Sequence, residues 1–595
     1  MSRCIFRYLS FFCCVTLFST GESVQALPLQ AELILHSGNV ITVEGEITTA
    51  RPSAVAIAEG LILAVGDDQS ILKLRGEHTE VIDLQGATVL PGLIDSHTHP
   101  ISASLHEFDH PIPDMKNISD VLDYVRNRAE VLEDGEWIVV QQVFITRLAE
   151  RRYPTKAELD NAAPHNPVHF STGPDSSVNS LALTLSGIDR DFQSGDPSAT
   201  IEKNPTTGEP TGILRNASKF LKRTGTQKVP SQEERDTRLI ELFADYNSVG
   251  ITGICDRNAG LAAMEQYQRL LAAERLHVRI AASRSVGNSG PVELLVESIR
   301  AIGREPLVAG GPMLRIVGIK CFLDGGMLTG SAAMREPWGI SSIYSISDPA
   351  YRGMLYIQPD VLVPMVKAAV ESRLQFTAHS VGDGAVHALL SAYEEVNQSL
   401  SLAHTRPCLT HSNFMSRESI AQAARLGVLA DIQPAWLWLD GQTLLLQFGE
   451  ARLRYFQPLQ SLFEAGVTVG GGSDHMQKIG SLRSVNPYNP FLGMWIAITR
   501  TPQGQTTALH PEESLSRAAA LRLYTINNAR FMFLENTIGS IEKGKFADLV
   551  IVDRDPLTCP IDDLPKTQVL TTFLAGKVVY QITSPLDASD ETGVP

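Results

Sequence analysis

Residues 89–100 read Val89-Leu90-Pro91-Gly92-Leu93-Ile94-Asp95-Ser96-His97-Thr98-His99-Pro100. Side chains alternate faces along a strand, so His97 and His99 share one side of the chain, where two imidazoles can hold one divalent metal. The apolar run Leu90 to Ile94, punctuated by Pro91-Gly92, predicts a buried parallel strand whose C-terminal end delivers both histidines to a surface mouth. Fifteen histidines in 595 residues also allow a chance His-x-His pair, so the reading rests on its surroundings.

Working outward, apolar runs alternate with amphipathic helical stretches, the pattern of a parallel α/β sheet. After the His-x-His run, strands are expected at 250–256, 277–283, 314–322, 375–379, 408–411, 428–433 and 468–474. With the first run these make eight, the number that closes a barrel. Helix starts are legible between them: Ser231 with Glu234 forms a capping box, and Pro511-Glu512-Glu513 sets proline in a first helical turn.

Short β-like runs broken by glycine fill 31–88 and recur at 548–552 and 569–580, so one β-sandwich built from both ends is expected. The interval from about 100 to 230 is too long for a strand-to-helix connection and has its own β-like runs at 137–143 and 168–170. It reads as a subdomain inserted over the barrel mouth, where loops carry function. The expected organisation is of the α/β class: a signal peptide at 1–26, an N-terminal β-sandwich segment at 27–90, a (β/α)8 TIM-like barrel at 91–535 containing the insert, a C-terminal β-sandwich segment at 536–585 and a tail at 586–595.

The signal-peptide expectation rests on Arg3 and Arg7, the apolar core Tyr8 to Phe18 and the small-residue site Val24-Gln25-Ala26. That core is short for a membrane span, which needs about 20 residues, so a secreted or periplasmic location is expected. Excluding 1–26 removes Arg3, Arg7 and Glu22, leaving 48 basic against 65 acidic residues, a net charge of −17. Such acidity argues against nucleic acid or an anionic membrane as partner. Cys255, Cys321, Cys408 and Cys559 then remain, widely spaced and mostly in apolar runs, and read as buried free thiols.

The C-terminal ends of the expected strands carry His97 and His99 (first), Lys320 (fourth), His379 (fifth), His411 (sixth) and Asp474 (eighth). Singly, each has an ordinary reading: Lys320 as a snorkelling strand-end lysine, His379 as a hydrogen-bonded histidine, Asp474 as a turn residue after Gly470-Gly471-Gly472-Ser473. Together, six ligand-type residues at strand ends that a barrel draws into one ring point to a metal site. No Lys-Ser/Thr follows the glycine run, so it is not a phosphate-binding loop.

These residues, with Pro91 to His99, Lys320 to Gly325, Ala378 to Asp383, Thr410-His411-Ser412, Gly472-Ser473-Asp474 and Gly539 to Leu549, resemble the amidohydrolase superfamily. The resemblance is to its amidohydrolase family 3 branch of N-substituted formamide deformylase-like metal-dependent hydrolases. It implies two divalent ions, expected to be Zn²⁺: one on His97 and His99, one on His379 and His411, bridged by a carbamate on Lys320. Asp474 is implied as a ligand of the first ion and as general base. The unmodified lysine is a cation that repels metal, whereas a carbamate is an anionic oxygen donor. The implied reaction is hydrolysis of a non-peptide C–N bond (amide, N-formyl or N-acyl) by metal-activated hydroxide, since bound zinc lowers the pKa of water to roughly 7. A small-molecule substrate follows, with no nucleic acid, no stable membrane insertion, and homo-oligomerisation left open.

Two departures from the branch pattern stand out. Thr172-Gly173-Pro174-Asp175 carries Pro174 where an Asp-Gly-His-like element has histidine, and Asp474 is followed by His475-Met476 where a proline often comes two places on. Asn179 and Asp383 are candidate pocket groups whose favoured reading is structural hydrogen bonding. Two alternatives stay open: a mononuclear metal deaminase of a nitrogen heterocycle with Lys320 unmodified, and a non-catalytic binding protein on an amidohydrolase scaffold, against which the complete ligand set speaks.

Overall fold

The apolar runs pair side by side in chain order. In the computed structural model, which describes residues 30–48, 50–224 and 228–582, they form one parallel sheet. Its strands are β1 (Leu93–Thr98), β2 (Ile251–Ala259), β3 (Arg279–Ser285), β4 (Leu314–Phe322), β5 (Gln375–Ser380), β6 (Cys408–His411), β7 (Leu429–Ile432) and β8 (Val469–Gly471). β1, β6, β7 and β8 are buried at every position, as a parallel sheet covered on both faces requires. The ring is nearly closed: just past β8, Asp474 N donates to His97 O (2.8 Å) and His99 N to His475 O (2.8 Å). The expected signal peptide and tail lie outside the described residues.

Helix Gln232–Ser248 starts where its capping box predicts. Ser231 Oγ accepts from Glu234 N (3.2 Å) and Glu234 accepts from Ser231 N (2.8 Å), satisfying two otherwise orphaned donors. Its Leu239, Leu242, Phe243 and Tyr246 recur at helical spacing and are buried. The helix expected at Pro511 is a correction: Pro511–Glu513 is a single 3-10 turn, and the helix begins at Arg517 after Ser516 caps Ala519 N. The buried Glu513 carboxylate is committed elsewhere, accepting from Ser461 N (2.8 Å) and Ser461 Oγ (2.6 Å), and Leu515 N is drawn to Ala497 O (3.0 Å). Those tertiary bonds win over the local helix-start signal.

A four-stranded sheet from the N-terminal region packs on a five-stranded sheet drawn from both ends. In the latter, Thr88–Pro91 runs antiparallel to Leu549–Val552, and Leu35, Ile57, Val89, Ile551 and Phe573 belong to the core between the sheets. Pro91-Gly92 passes the chain directly into β1. A Cβ on Gly92 would sit 2.2 Å from Thr252 Oγ1, so only glycine fits this crossing without displacing β2. Cys255, Cys321 and Cys408 are buried free thiols, whereas Cys559 is only partly buried, beneath Arg517.

Residues between β1 and β2 carry a separate five-stranded sheet (Ile138–Val140, Val168–Ser171, Asp175–Val178, Thr200–Lys203 and Pro210–Arg215). Phe144, Ile145 and Phe170 of this insert share one hydrophobic cluster with Met327 and Leu328 from the loop after β4 and Trp436 from the helix after β7 (Pro434–Phe448), which seats the insert over the C-terminal mouth. Among the described residues no helix is long and apolar enough to cross a membrane.

Barrel and sandwich are riveted by a buried bidentate pair. Arg279 Nε and Nη2 donate to the Asp548 carboxylate at 2.6 and 2.8 Å, and Asp548 also accepts from Ala575 N (2.8 Å). Removing one partner strands the other charge, a loss of roughly 3–5 kcal/mol. Asp548→Ala is therefore expected to lower the thermal unfolding midpoint markedly, and the double variant Arg279→Met/Asp548→Ala to recover some of the loss.

Candidate metal centre

The six expected residues converge. His97 lies within β1, Lys320 in β4, His379 in β5, His411 at the end of β6, and His99 and Asp474 just beyond β1 and β8. All but the fully buried His97 line one cavity of about 470 Å³ at the barrel mouth. His411 and Asp474 hold left-handed backbone (φ 73° and 56°), an uncommon state for non-glycine residues that concentrates at functional sites. Gly472 makes the closing contact: a Cβ there would lie 2.7 Å from His97 Cβ, so glycine lets β8 approach the metal-facing strand.

His97 Nε2 lies 3.3 Å from His99 Nε2 and 3.3 Å from Asp474 Oδ1, and His99 Nε2 is 3.1 Å from the same oxygen. A tetrahedral ion with Zn–N bonds of about 2.0–2.1 Å separates its donors by roughly 3.3 Å, so this trio fits one zinc ion. The other half is more open. His379 and His411 have ring centroids 4.6 Å apart, and His411 is sandwiched between His97 and Trp436 at 4.8 Å from each. Lys320 is 1% exposed and its Nζ stands 5.4 Å from the Phe322 ring centroid, with no hydrogen-bonding partner among the described residues.

Burial sets the protonation states. Desolvation, then the nearby Lys320, drives His97 well below the usual histidine range and His379 to about 3; for His411, desolvation and His379 do the same. Neutral imidazoles with free lone pairs are what a metal needs. Desolvation also lowers Lys320 to about 8, against the pull of Asp474 and Asp431.

Neighbours fix which nitrogen is free. The buried Asp431 carboxylate accepts from His97 Nδ1 (2.8 Å), Ser96 Oγ (2.7 Å) and Gln433 Nε2 (3.1 Å). Burial raises its pKa to about 6, with Arg257 opposing, so at neutral pH it is ionised and takes the Nδ1 proton. Gln433 Oε1 accepts from His411 Nδ1 (2.7 Å), and His379 sends Nε2 to Gly325 O (3.3 Å). His97 and His411 thus present Nε2 and His379 presents Nδ1. Sequence reasoning missed Asp431, Gln433 and Arg257. The signal was available in Leu429-Ala430-Asp431-Ile432, an acid inside a strand buried throughout.

The insert and the loop after β4 form the roof. Arg215 donates to Thr329 O (2.9 Å) and Tyr344 O (2.7 Å), while Ser331 Oγ donates to Asp175 Oδ2 (2.6 Å). Pro174 lines the cavity, so the place of the missing histidine belongs to the wall. Asn179 caps helix Ser180–Ser186 and Asp383 accepts from Arg335 N (2.9 Å), both structural bonds. His475 is buried, accepting from Tyr246 O–H at Nδ1 (2.7 Å) and sending Nε2 to the carbonyls of Gln477 and Lys478, which anchors the loop that follows Asp474.

Comparison with known proteins agrees with this arrangement. The amidohydrolase family matches residues 80–580. An N-substituted formamide deformylase from Arthrobacter pascens is 28% identical over 93% of this chain and 99% of its own length. The protein LONG AFTER FAR-RED 3 of Arabidopsis thaliana is 26% identical over 92% of each chain. The crystal structure of an uncharacterized metal-dependent hydrolase from Pyrococcus horikoshii shares the fold, with a TM-score of 0.62 at 20% identity over 89% of this chain and 99% of that one.

Asp431→Asn keeps the shape but lets the amide present a donor to His97 Nδ1, releasing the tautomer. Zinc affinity is expected to fall about 10–100-fold, read by chelator competition on a variant of unchanged circular dichroism.

Proposed function

Since the chain belongs to the amidohydrolase family, a family of hydrolases, we propose that it is a zinc-dependent hydrolase of a non-peptide C–N bond, of amide, N-formyl or N-acyl type. The observation that carries the reading is the convergence of His97 Nε2, His99 Nε2 and Asp474 Oδ1 at 3.1–3.3 Å beside a cavity. Similarity to an N-substituted formamide deformylase supports the bond type.

In this reading His97, His99 and Asp474 would hold one ion and His379 and His411 a second, and a carbamate on Lys320 would supply an anionic oxygen donor. Bound zinc supplies Lewis acidity toward a carbonyl oxygen and toward water. Holding Lys320 near 8 leaves a fraction of the amine neutral at neutral pH. The lone pair of that neutral amine would attack the carbon of carbon dioxide, the N–C bond forming as one C=O π bond opens onto oxygen, and an N–H proton would pass to solvent, leaving a carbamate anion. Asp474, at the cavity edge, accepts the proton of the attacking water and passes it to the departing nitrogen. The insert and the loop after β4 cover the mouth and limit water access.

The tighter packing of the first trio also favours a second reading, a one-metal deaminase with Lys320 unmodified. Metal counting separates them: two equivalents per chain, falling to one in Lys320→Ala, support the binuclear hydrolase, and a single equivalent indifferent to Lys320→Ala supports the deaminase. Asp474→Asn is expected to lower kcat by about 10²–10⁴-fold, and chelation to abolish turnover until zinc is returned. Export belongs to the same proposal, and N-terminal sequencing of protein from the exported fraction is expected to begin near Leu27.

A further inference from the structure

The cavity wall has a chemical character that the metal ligands do not explain. Only two of its lining residues carry formal charge, Lys320 and Asp474, and both sit at the metal end. The rest of the lining is apolar, including Phe144, Met327, Leu328 and the Trp436 ring that stacks on His411, or made of neutral polar groups such as Gln142 and Asn288. The nearby guanidinium groups are already committed. Arg215 is held by Thr329 O, Tyr344 O and Glu202, and Arg147 by Asp440 and Asn486; Arg257 is held by Ser96 O, Ser283 and Gln375 and, although its Nη2 is unpaired, it is fully buried and does not line the cavity. Three buried polar atoms of lining residues, Trp436 Nε1, Asn258 Oδ1 and the Tyr356 hydroxyl, have no hydrogen-bond partner among the described residues, and all three are neutral groups.

We propose that the substrate is an amide whose nitrogen carries an uncharged aromatic or alkyl group, and that carboxylate-bearing amides, N-acyl amino acids and dipeptides among them, are excluded. The inference rests on the amide-hydrolase reading and narrows it. A carboxylate seated against this wall would give up its water and meet no free side-chain cation. A phenyl group meets instead Phe144, Trp436 and Met327, which are 6%, 4% and 0% exposed and are held in one packed cluster.

The test uses zinc-loaded full-length enzyme and pairs that differ only by a carboxylate: N-acetylphenethylamine against N-acetylphenylalanine, and the two N-formyl counterparts. The neutral member is expected to have a kcat/KM at least about 100-fold higher. Binding is read separately by calorimetry with the unhydrolysable N-methanesulfonyl derivatives of both amines, where the same order is expected in Kd. Asn288→Arg, on the half-buried loop after β3, supplies a cation to the wall and is expected to shift the ratio of kcat/KM between the carboxylate and the neutral member by about 10-fold or more toward the carboxylate. Gln142→Arg provides the same test from the insert. Equal or better binding of the carboxylate sulfonamide overturns the proposal even if amides are hydrolysed, and so does failure of both sulfonamides to bind. Selective binding of the neutral sulfonamide without hydrolysis of any acyl compound leaves the wall inference standing and removes the amide-hydrolase reading.

Discussion

The Nδ1 proton of His97 rests on the buried carboxylate of Asp431 at 2.8 Å, and much of the structure serves that one hydrogen bond. A carboxylate with no exposed surface stays ionised only if its surroundings compensate. Ser96 and Gln433 donate to it, and the fully buried Arg257 stands 3.6 Å away. Arg257 in turn is held by Ser283 of β3 and Gln375 of β5. A hydrogen bond from β1 to β7 therefore depends on side chains from β2, β3 and β5. The barrel is the device that brings these strands within reach of one another.

The same dryness that makes such a network costly makes it useful. Desolvation keeps the imidazoles neutral, so they offer lone pairs rather than protons, and it lowers the amine of Lys320 to about 8, leaving a fraction of it neutral. Left-handed backbone at His411 and Asp474 is tolerated because the strands before them and the bonds after them leave no alternative path. The roof is assembled from two distant segments: Arg215 and Asp175 tie the insert to the loop after β4, so both walls above the ligands are bonded to each other.

Much of this was legible in the chain. Period-2 and continuous apolar runs located all eight barrel strands, because a parallel strand covered on both faces has to be apolar along its length. The capping box at Ser231 worked because its two bonds are local. The start read at Pro511 did not, because Glu513 is drawn to Ser461 across the fold, and no local pattern records such competition. Cys559 differs from the other three thiols because its apolar neighbours Leu557 and Ile561 are flanked by Thr558, Asp562 and Asp563, and it packs near the surface under Arg517.

The sequence by itself determined the barrel, the identity of the six ligand-type residues and the family they resemble, since these depend on residue type at strand-end positions. Tertiary structure decided which of them stand close enough to share an ion, which imidazole nitrogen is free, and that Asp431, Gln433 and Arg257 are the groups that arrange this. It also decided that the wall beyond the ligands carries no free charge. The physical reason is range: strand patterns and caps are written within a few residues, whereas desolvation and a hydrogen bond between positions 97 and 431 exist only after the ring has closed.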